Sequence, residues 1–482
     1  MLLQSLQVFG NLVEAVVSLF LDHEKITKAL DKSKGTIRIK TYFSQEALIV
    51  TCDPENVHYI MTSNFSRYHK GPEWRKRLDI FGDHGVFNSD FEEWKSQIKT
   101  IRDFLSHKKF HQLTEKTIPG IIKNQLVPVL EHISKQNAAV DLQDLFKRYT
   151  FDFASIISTG FNPKTLCIEF PEIPFSNAMD DACEAIFYRH IMPESWWKLQ
   201  RWLGIGKERK YSNSIKTVDE FAMKQISIRR AILSKSMKIM EVEEEESFNL
   251  LNLYFSGHEI SGAALTDEKI IKDNLIGFIF ATEDTSRTAL SWFFWLISQN
   301  PSVEMKIREE LRRNLPQEED KEGRVFWHLD ELNRLVYLHA ALCESLRLFP
   351  PAPFEIRTPM HEDSLPSGQN VNPNTPVIVC SYAMGRMAWI WGDDCEEFKP
   401  ERWITEDGGI KHYPQHKFLA FNARPRVCLG KTVAFALMKA VAATVIHNFE
   451  VQVLKNHRMK PKLSISLGMK NGLFAKVKSR LK

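Results

Sequence analysis

The sequence predicts one large, mainly α-helical domain with a smaller β part. Helical periodicity dominates residues 93–294, β-branched runs and prolines cluster at 36–52 and 350–380, and no Pro/Gly/Ser-rich linker is long enough to separate the chain into several domains. Length alone would suggest about three domains of ordinary size, but length is the weaker guide. With 43% hydrophobic residues, 32 Phe and 11 Trp the chain can fill a large core, and a charged fraction of 26% argues against disorder. A net charge of +4 is small for 482 residues, and neither repeats nor zinc-type spacings occur, so nucleic acid is not an expected partner.

Residues 1–29 read as an amino-terminal segment and 30–482 as the domain. Gln4, Gln7, Asn11 and Glu14, then Asp22-His23-Glu24, break the first apolar run well short of the ~20 residues a membrane span needs, so no transmembrane anchor is expected. Leu2, Leu3, Leu6, Phe9 and Leu12 share a face that fits either membrane-surface contact or a first buried helix. Ile37, Ile39, Thr41 and Phe43, followed by Leu48-Ile49-Val50-Thr51, predict a strand pair, and Asp53-Pro54-Glu55 starts a helix because Pro is preorganised for the first helical position. The helical pattern then pauses at 171–174 and at Gly204-Ile205-Gly206, and the acidic run 241–247 is a solvated linker. A long helix is expected over 273–297, with a middle that is apolar on all sides and therefore belongs in the core. Asn300-Pro301 ends it and opens the next helix, and 316–323 is a charged surface loop. Seven prolines among Val- and Ile-rich pieces in 350–380 predict short strands and turns. A last helix is expected over about 430–448, then a hairpin-like tail near 465–477.

Three segments carry chemistry. Cys52, Cys167, Cys183, Cys343, Cys380, Cys395 and Cys428 are odd in number and lack CxxC spacing, which suits a reducing compartment better than a disulfide framework. A lone cysteine is usually a small buried hydrophobe. Cys428 alone sits in a basic loop leading into an apolar helix, Phe421-Asn422-Ala423-Arg424-Pro425-Arg426-Val427-Cys428-Leu429-Gly430-Lys431. Arg426 and the helix amides from Gly430 onward should supply the positive potential that a metal-binding thiolate needs. Within the core helix falls Ala281-Thr282-Glu283-Asp284-Thr285-Ser286, where polar groups need a partner or a purpose. Glu283 can pair with Arg287 four residues on, and Asp284 has only Arg287 at i+3. Phe278, Ala281, Thr282 and Thr285 share one stripe. Finally, Glu344 and Arg347 face one side of an apolar helix that ends at Pro350-Pro351, and Phe398-Lys399-Pro400-Glu401-Arg402-Trp403 follows.

This order of E-x-x-R, P-E-R-W and cysteine loop, with the 281–286 run before it, resembles the cytochrome P450 family over nearly the whole chain from about residue 30. The resemblance implies the P450 fold, with the long helix lying over haem b, and makes Cys428 the axial ligand whose thiolate pushes electron density onto iron. It implies that Asp284 and Thr285 relay protons to bound dioxygen beside Ala281 and Thr282. Arg426, Trp94 and Arg357 are implied propionate contacts, Phe421 is a further haem contact, and Glu344, Arg347 and Arg402 form a buried charge network bracing the ligand loop. The implied partners are NADPH-cytochrome P450 reductase, O2 and an apolar small molecule, since no G-x-G-x-x-G or flavin motif occurs here. The implied location is the cytosolic face of the endoplasmic reticulum membrane.

Four stretches, Cys52-Asp53-Pro54-Glu55-Asn56-Val57, His69-Lys70-Gly71-Pro72, Ala289-Leu290-Ser291-Trp292-Phe293-Phe294-Trp295-Leu296 and Trp391-Gly392-Asp393-Asp394, resemble plant long-chain fatty-acid and alkane hydroxylases. Insertion of one oxygen atom into a C–H bond of such a substrate is therefore expected, with Phe278 and Phe354 lining the cavity. Oxidative coupling of a specialised metabolite such as an alkaloid, and a haem-binding homologue of low turnover, are the alternatives. The chain departs from the family pattern at Thr282 and Arg424, where the pattern has Gly, and at Ile98, where it usually has Arg. Thr282 is expected to crowd the oxygen groove, Arg424 to strain a left-handed turn by ~1–2 kcal/mol, and Lys95, Lys99 or Arg102 to replace the missing charge.

Overall fold

The computed structural model describes residues 22–40, 47–236, 248–255, 267–316, 323–454 and 457–480. The amino-terminal stripe from Leu2 to Leu12, Thr41 and Phe43, the acidic run 241–247 and loop residues 317–322 lie outside the described residues. Among the described residues no helix is long and apolar enough to cross a membrane. The first described helix, His23–Lys32, is capped by Asp22 and buries Ile26 and Leu30 completely.

The core is organised by one helix, Glu268–Gln299, longer at both ends than its apolar middle predicts. Asp267 caps it by accepting from the Lys269 amide, and Asn300 ends it ahead of Pro301. It packs along the helix Leu142–Thr159, where Phe146 stacks on Phe294 with centroids 5.2 Å apart. Trp292 lies flat on Phe349 at 3.9 Å and donates its Nε1–H to the Leu467 carbonyl at 2.5 Å, which ties the helix to the carboxy-terminal region. The last helix is Lys431–Asn448, as the sequence predicts.

The expected strand pair forms between Thr36–Lys40 and Ala47–Thr51, with Thr36 opposite Thr51. It joins strands from the proline-rich region: Ala47–Thr51 runs parallel to Val377–Cys380, which pairs antiparallel with Phe354–Pro359, and Tyr68–His69 closes the five-stranded sheet. Val377–Cys380 is buried throughout, as a central strand with both faces covered must be. The tail differs from expectation. Phe474–Ser479 pairs with Phe449–Val453, directly after the last helix, and with Ala139–Asp141, a three-residue strand inside the predicted helical stretch. Near 465–477 the hairpin reduces to a single bridge, Pro461 with Met469.

Candidate active site

From Ile276 to Ile297 the central helix is almost wholly buried, yet Ala281 is exposed and Thr282 and Thr285 are half-buried. An accessible stripe in the middle of a core helix marks an internal space. Thr285 Oγ1 donates to the Ala281 carbonyl at 2.7 Å and Thr282 Oγ1 to the Phe278 carbonyl at 2.9 Å, so both hydroxyl protons rest on the helix's own backbone. Phe278 meets Phe104 edge-on at 6.0 Å. The Phe354 ring stacks on His23 at 5.6 Å, against the first helix.

Asp284 is buried beside Arg287 of its own helix, in a charge cluster that Asp180 and Lys147 join from two other helices. Its Oδ1 accepts from Arg287 Nη2 at 2.6 Å and Nε at 3.2 Å, while Oδ2 has no hydrogen-bond partner among the described residues. Arg287 also holds both oxygens of Asp180 and approaches Glu283 Oε1 at 3.4 Å, and Lys147 reaches Asp180 at 3.2 Å. Burial works against the charge of Asp180, but Arg287 and Lys147 hold its pKa far below the usual carboxylate range. Desolvation pushes Glu283 up to about 7, against the pull of Arg287. The Glu283–Arg287 pairing is thus present, but Asp180 and Lys147 were invisible in the sequence because they lie more than a hundred residues upstream.

Cys428 is the one exposed cysteine of the seven, yet burial raises its pKa, so its sulfur opens onto a space walled by protein. The Gly430 amide and Lys431 draw the thiol the other way. Arg426 does not serve the thiol as expected; it is spent on Asp90. The Cys428 amide donates to the Phe421 carbonyl at 2.8 Å, and the Phe421 ring packs on Phe435 at 5.2 Å with Lys431 over its face at 5.5 Å. The left-handed residue of the loop is Asn422, φ 59°, and not Arg424, so the strain expected at Arg424 does not fall there. Arg424 is exposed and donates its amide to Gln415 Oε1 at 3.0 Å.

A second cluster gathers positive charge. Arg426 donates Nη2 to the Ser89 carbonyl at 2.8 Å and to Asp90 Oδ1 at 2.9 Å, with its guanidinium 4.6 Å over the Trp94 ring. Arg357, 1% exposed, donates Nη1 to Glu355 at 3.1 Å and to the Ile356 carbonyl at 2.8 Å. Its Nε and Nη2 are buried without a partner among the described residues. Lys70 is buried beside them, with Nζ donating to the Phe87 carbonyl. Burial, then Arg357, lowers Arg426 to about 10; burial, then Arg426 and Arg357, pulls Lys70 well below the ordinary lysine value. Three cations answered by Asp90 and Glu355, with two guanidinium N–H groups left over, make a site that lacks an anion. The two propionates of haem b would supply that charge, and the accessible thiol and the small-residue stripe suit its ring, so the residues present fit the group.

Lys95, Lys99 and Arg102 do not replace the charge missing at Ile98. All three are exposed, and Lys95 is tied to Glu92 at 2.6 Å. Lys70 is the cation that sequence reasoning missed. Its signal was the Gly71-Pro72 that follows, which turns the chain at φ 84° into the helix Pro72–Arg77 and leaves Lys70 inside.

The Glu344 network contrasts with this. Glu344 and Arg347 are buried and joined by two bonds of 2.8 Å. Glu344 also accepts from Arg402 Nε at 3.3 Å, Trp403 Nε1 at 2.8 Å and the Lys399 amide at 3.1 Å. Arg347 further donates to the carbonyls of Gly385, Cys395 and Glu397. Arg402 reaches Asp394 at 2.7 Å; hydrogen bonds from Lys399 and Arg402 hold the Asp394 carboxyl down at about 2.

The family model described as Cytochrome P450 matches residues 3–475. The chain is 39% identical over 440 residues to alkane hydroxylase MAH1 of Arabidopsis thaliana, covering 91% of this chain and 86% of that one. It is 38% identical over 466 residues to cytochrome P450 86B1 of the same plant, covering 95% and 82%. To noroxomaritidine synthase 2 of Narcissus pseudonarcissus it is 36% identical over 477 residues, covering 98% and 90%. A solved cytochrome P450, CYP102L1, has the same fold, with a TM-score of 0.76 at 20% identity over 95% of this chain and 98% of that one. A match of that extent, on a chain whose thiol loop and anion-seeking cluster suit haem, makes the chain a member of the cytochrome P450 family of monooxygenase oxidoreductases.

Proposed function

We propose that this P450 hydroxylates the carbon chain of a long aliphatic substrate, a fatty acid or alkane. The reading is carried by the pairing of an accessible thiol on an electropositive helix start with an accessible stripe on an otherwise buried helix. The similarity to an alkane hydroxylase supports the substrate. When bound, haem b supplies dioxygen activation and insertion of one oxygen atom into a C–H bond. Cys428 would ligate the iron, with the Phe421 carbonyl fixing its amide. Arg357 through Nε and Nη2, Arg426, Lys70 and Trp94 would hold the propionates. Thr285 would present its hydroxyl at the stripe next to Ala281 and Thr282, and Asp284 would position a proton through its unpartnered Oδ2. Electrons would come from NADPH through an external reductase at the cytosolic face of the endoplasmic reticulum.

Two measurements test this. The ferrous-CO complex should show a thiolate-type Soret band that Cys428→Ser abolishes; a retained band refutes the ligand. A spectral titration with a chain-length series of acids and alkanes should convert low-spin to high-spin iron. The similarity to noroxomaritidine synthase 2 favours a second reading, oxidative coupling of an alkaloid. A spin shift with phenolic alkaloids and none with any aliphatic ligand would establish it instead.

A further inference from the structure

Residues 82–90 form neither helix nor strand, yet their backbone is fastened to both the central helix and the cation cluster. The His84 amide donates to Asp273 Oδ2 at 3.2 Å and the Val86 amide to Asn274 Oδ1 at 3.0 Å, both on the central helix. Asn88 turns its side-chain amide back to the carbonyls of Leu78 and Gly82 at 2.9 and 2.7 Å. From there the cation cluster takes over. Lys70 Nζ donates to the Phe87 carbonyl, Arg426 holds Ser89 and Asp90, and the Lys70 and Gly71 amides donate to Asp90 at 3.2 and 3.3 Å. Ordering a loop costs entropy, and what this ordering fixes is the Phe87 side chain. Its ring stacks on Phe81 at 4.5 Å and meets Phe280 at 5.9 Å. A Cβ added to Gly277 would lie 3.5 Å from Phe87 Cδ2, in ordinary contact, and Gly277 stands about one helical turn before Ala281 on the accessible stripe. Phe87 is half-buried although Phe81, Phe280 and Gly277 around it are buried. It therefore borders the internal space at the Gly277 end of the stripe.

Lys70 joins that ring to the cofactor edge. Arg426 and Arg357 oppose its charge in a buried setting, and an anion seated on the two arginines removes that opposition. A charged lysine then donates a hydrogen bond about twice as strong as a neutral one. We infer that Lys70 is a positioning residue that couples cofactor to substrate: with the propionates in place it grips the Phe87 carbonyl and fixes the Phe87 ring as a wall at the Gly277 end of the stripe. A fixed ring facing small residues passes a thin chain and turns away a bulky one. The inference rests on the long-chain reading and adds the residue that keeps its space narrow.

The test compares Lys70→Met, Arg357→Met and Phe87→Ala with wild type, all haem-loaded, by amide hydrogen exchange and by spectral titration with palmitic acid and its terminally phenyl-substituted analogue. Exchange across 84–90 should quicken about tenfold in Lys70→Met, the worth of one charge-assisted hydrogen bond. It should stay near the wild-type rate in Arg357→Met, which removes a cofactor contact and leaves the Lys70 bond in place. Lys70→Gln keeps a neutral donor and should fall between wild type and Lys70→Met; it carries the test if Lys70→Met does not hold haem. Wild type should bind palmitic acid about tenfold more tightly than the phenyl analogue, or better. That preference should fall towards one in Lys70→Met and Phe87→Ala and persist in Arg357→Met. Unchanged exchange in the Lys70 variants, an equal rise in Arg357→Met, or an unchanged preference in Phe87→Ala overturns the inference and leaves the long-chain reading standing. So does a wild-type preference near one. Failure of wild type to bind either acid overturns that reading and the wall with it.

Discussion

Around Glu344 each buried charge is answered from within the chain, whereas around Arg357 two guanidinium nitrogens, Nε and Nη2, have no partner among the described residues. Both clusters are buried and rich in arginine, so composition does not separate them. Completeness does. A closed network stabilises the polypeptide by itself, and an open one stores an affinity that only a ligand realises. The first therefore ties down the segment leading to the cysteine loop, and the second would take a dianionic edge.

The sharpest way to break this comparison is to open the closed network. Arg347→Met strands Glu344 without its main partner and should cost roughly 3–5 kcal/mol, read as a large fall in the thermal midpoint with or without haem. A loss below about 1 kcal/mol would show that the network is not what holds this region.

Glu283 gives a third kind of buried charge, neither closed nor waiting for an anion. Its folded pKa of about 7 lies above the ~4.3 of an unfolded glutamate, so the folded state binds more protons between those values. Stability from this group is present below about pH 4.5 and is lost as pH rises through about 7. Unfolding free energy should drop by roughly 1–3 kcal/mol between about pH 5 and about pH 8. Glu283→Gln should flatten that slope, and an unchanged slope would assign the pH dependence elsewhere.

Opening the already open cluster should do less to the fold and more to the ligand. Arg357→Met should leave the haem-free thermal midpoint within about 1 kcal/mol of wild type and weaken haem retention about tenfold, measured by transfer to apomyoglobin. Equal loss of apo stability would make Arg357 a second brace. The smallest effect is expected at Thr282. Its Oγ1 is spent on the Phe278 carbonyl, so the side chain adds bulk at the stripe and offers no proton. Thr282→Gly should raise product formed per NADPH by about twofold, near 0.4 kcal/mol; an unchanged ratio would mean the methyl is accommodated.

What could be read in the sequence follows from the range of each interaction. Glu344 with Arg347 is an i,i+3 pair on one helix, and Glu283 with Arg287 is i,i+4, so both were legible. Asp180, Lys147, Asp90 and Lys70 were not, because each acquires its meaning from a partner on another element. Ala139–Asp141 is too short to signal a strand and exists by pairing with Phe474–Ser479. The cysteine loop misled in detail for a related reason. A basic residue near a thiol suggests electrostatic help, but the backbone turns at Asn422 and sends Arg426 to Asp90.

That last contact joins residues 336 positions apart, and the five-stranded sheet likewise threads Ala47–Thr51 beside Val377–Cys380. During synthesis from the amino terminus, the first strands and Lys70 emerge long before their partners. The early segment must wait with an unpaired strand edge and a charge bound for the interior, a state open to mispairing and to chaperones. Cofactor capture is then a late event, because the sheet is complete only with Val377–Cys380, and Arg426 and the Cys428 thiol come later still, in the final sixth of the chain. A truncation before Arg426 should consequently yield a chain that has lost more than its thiol, since Asp90 would have no arginine to close on.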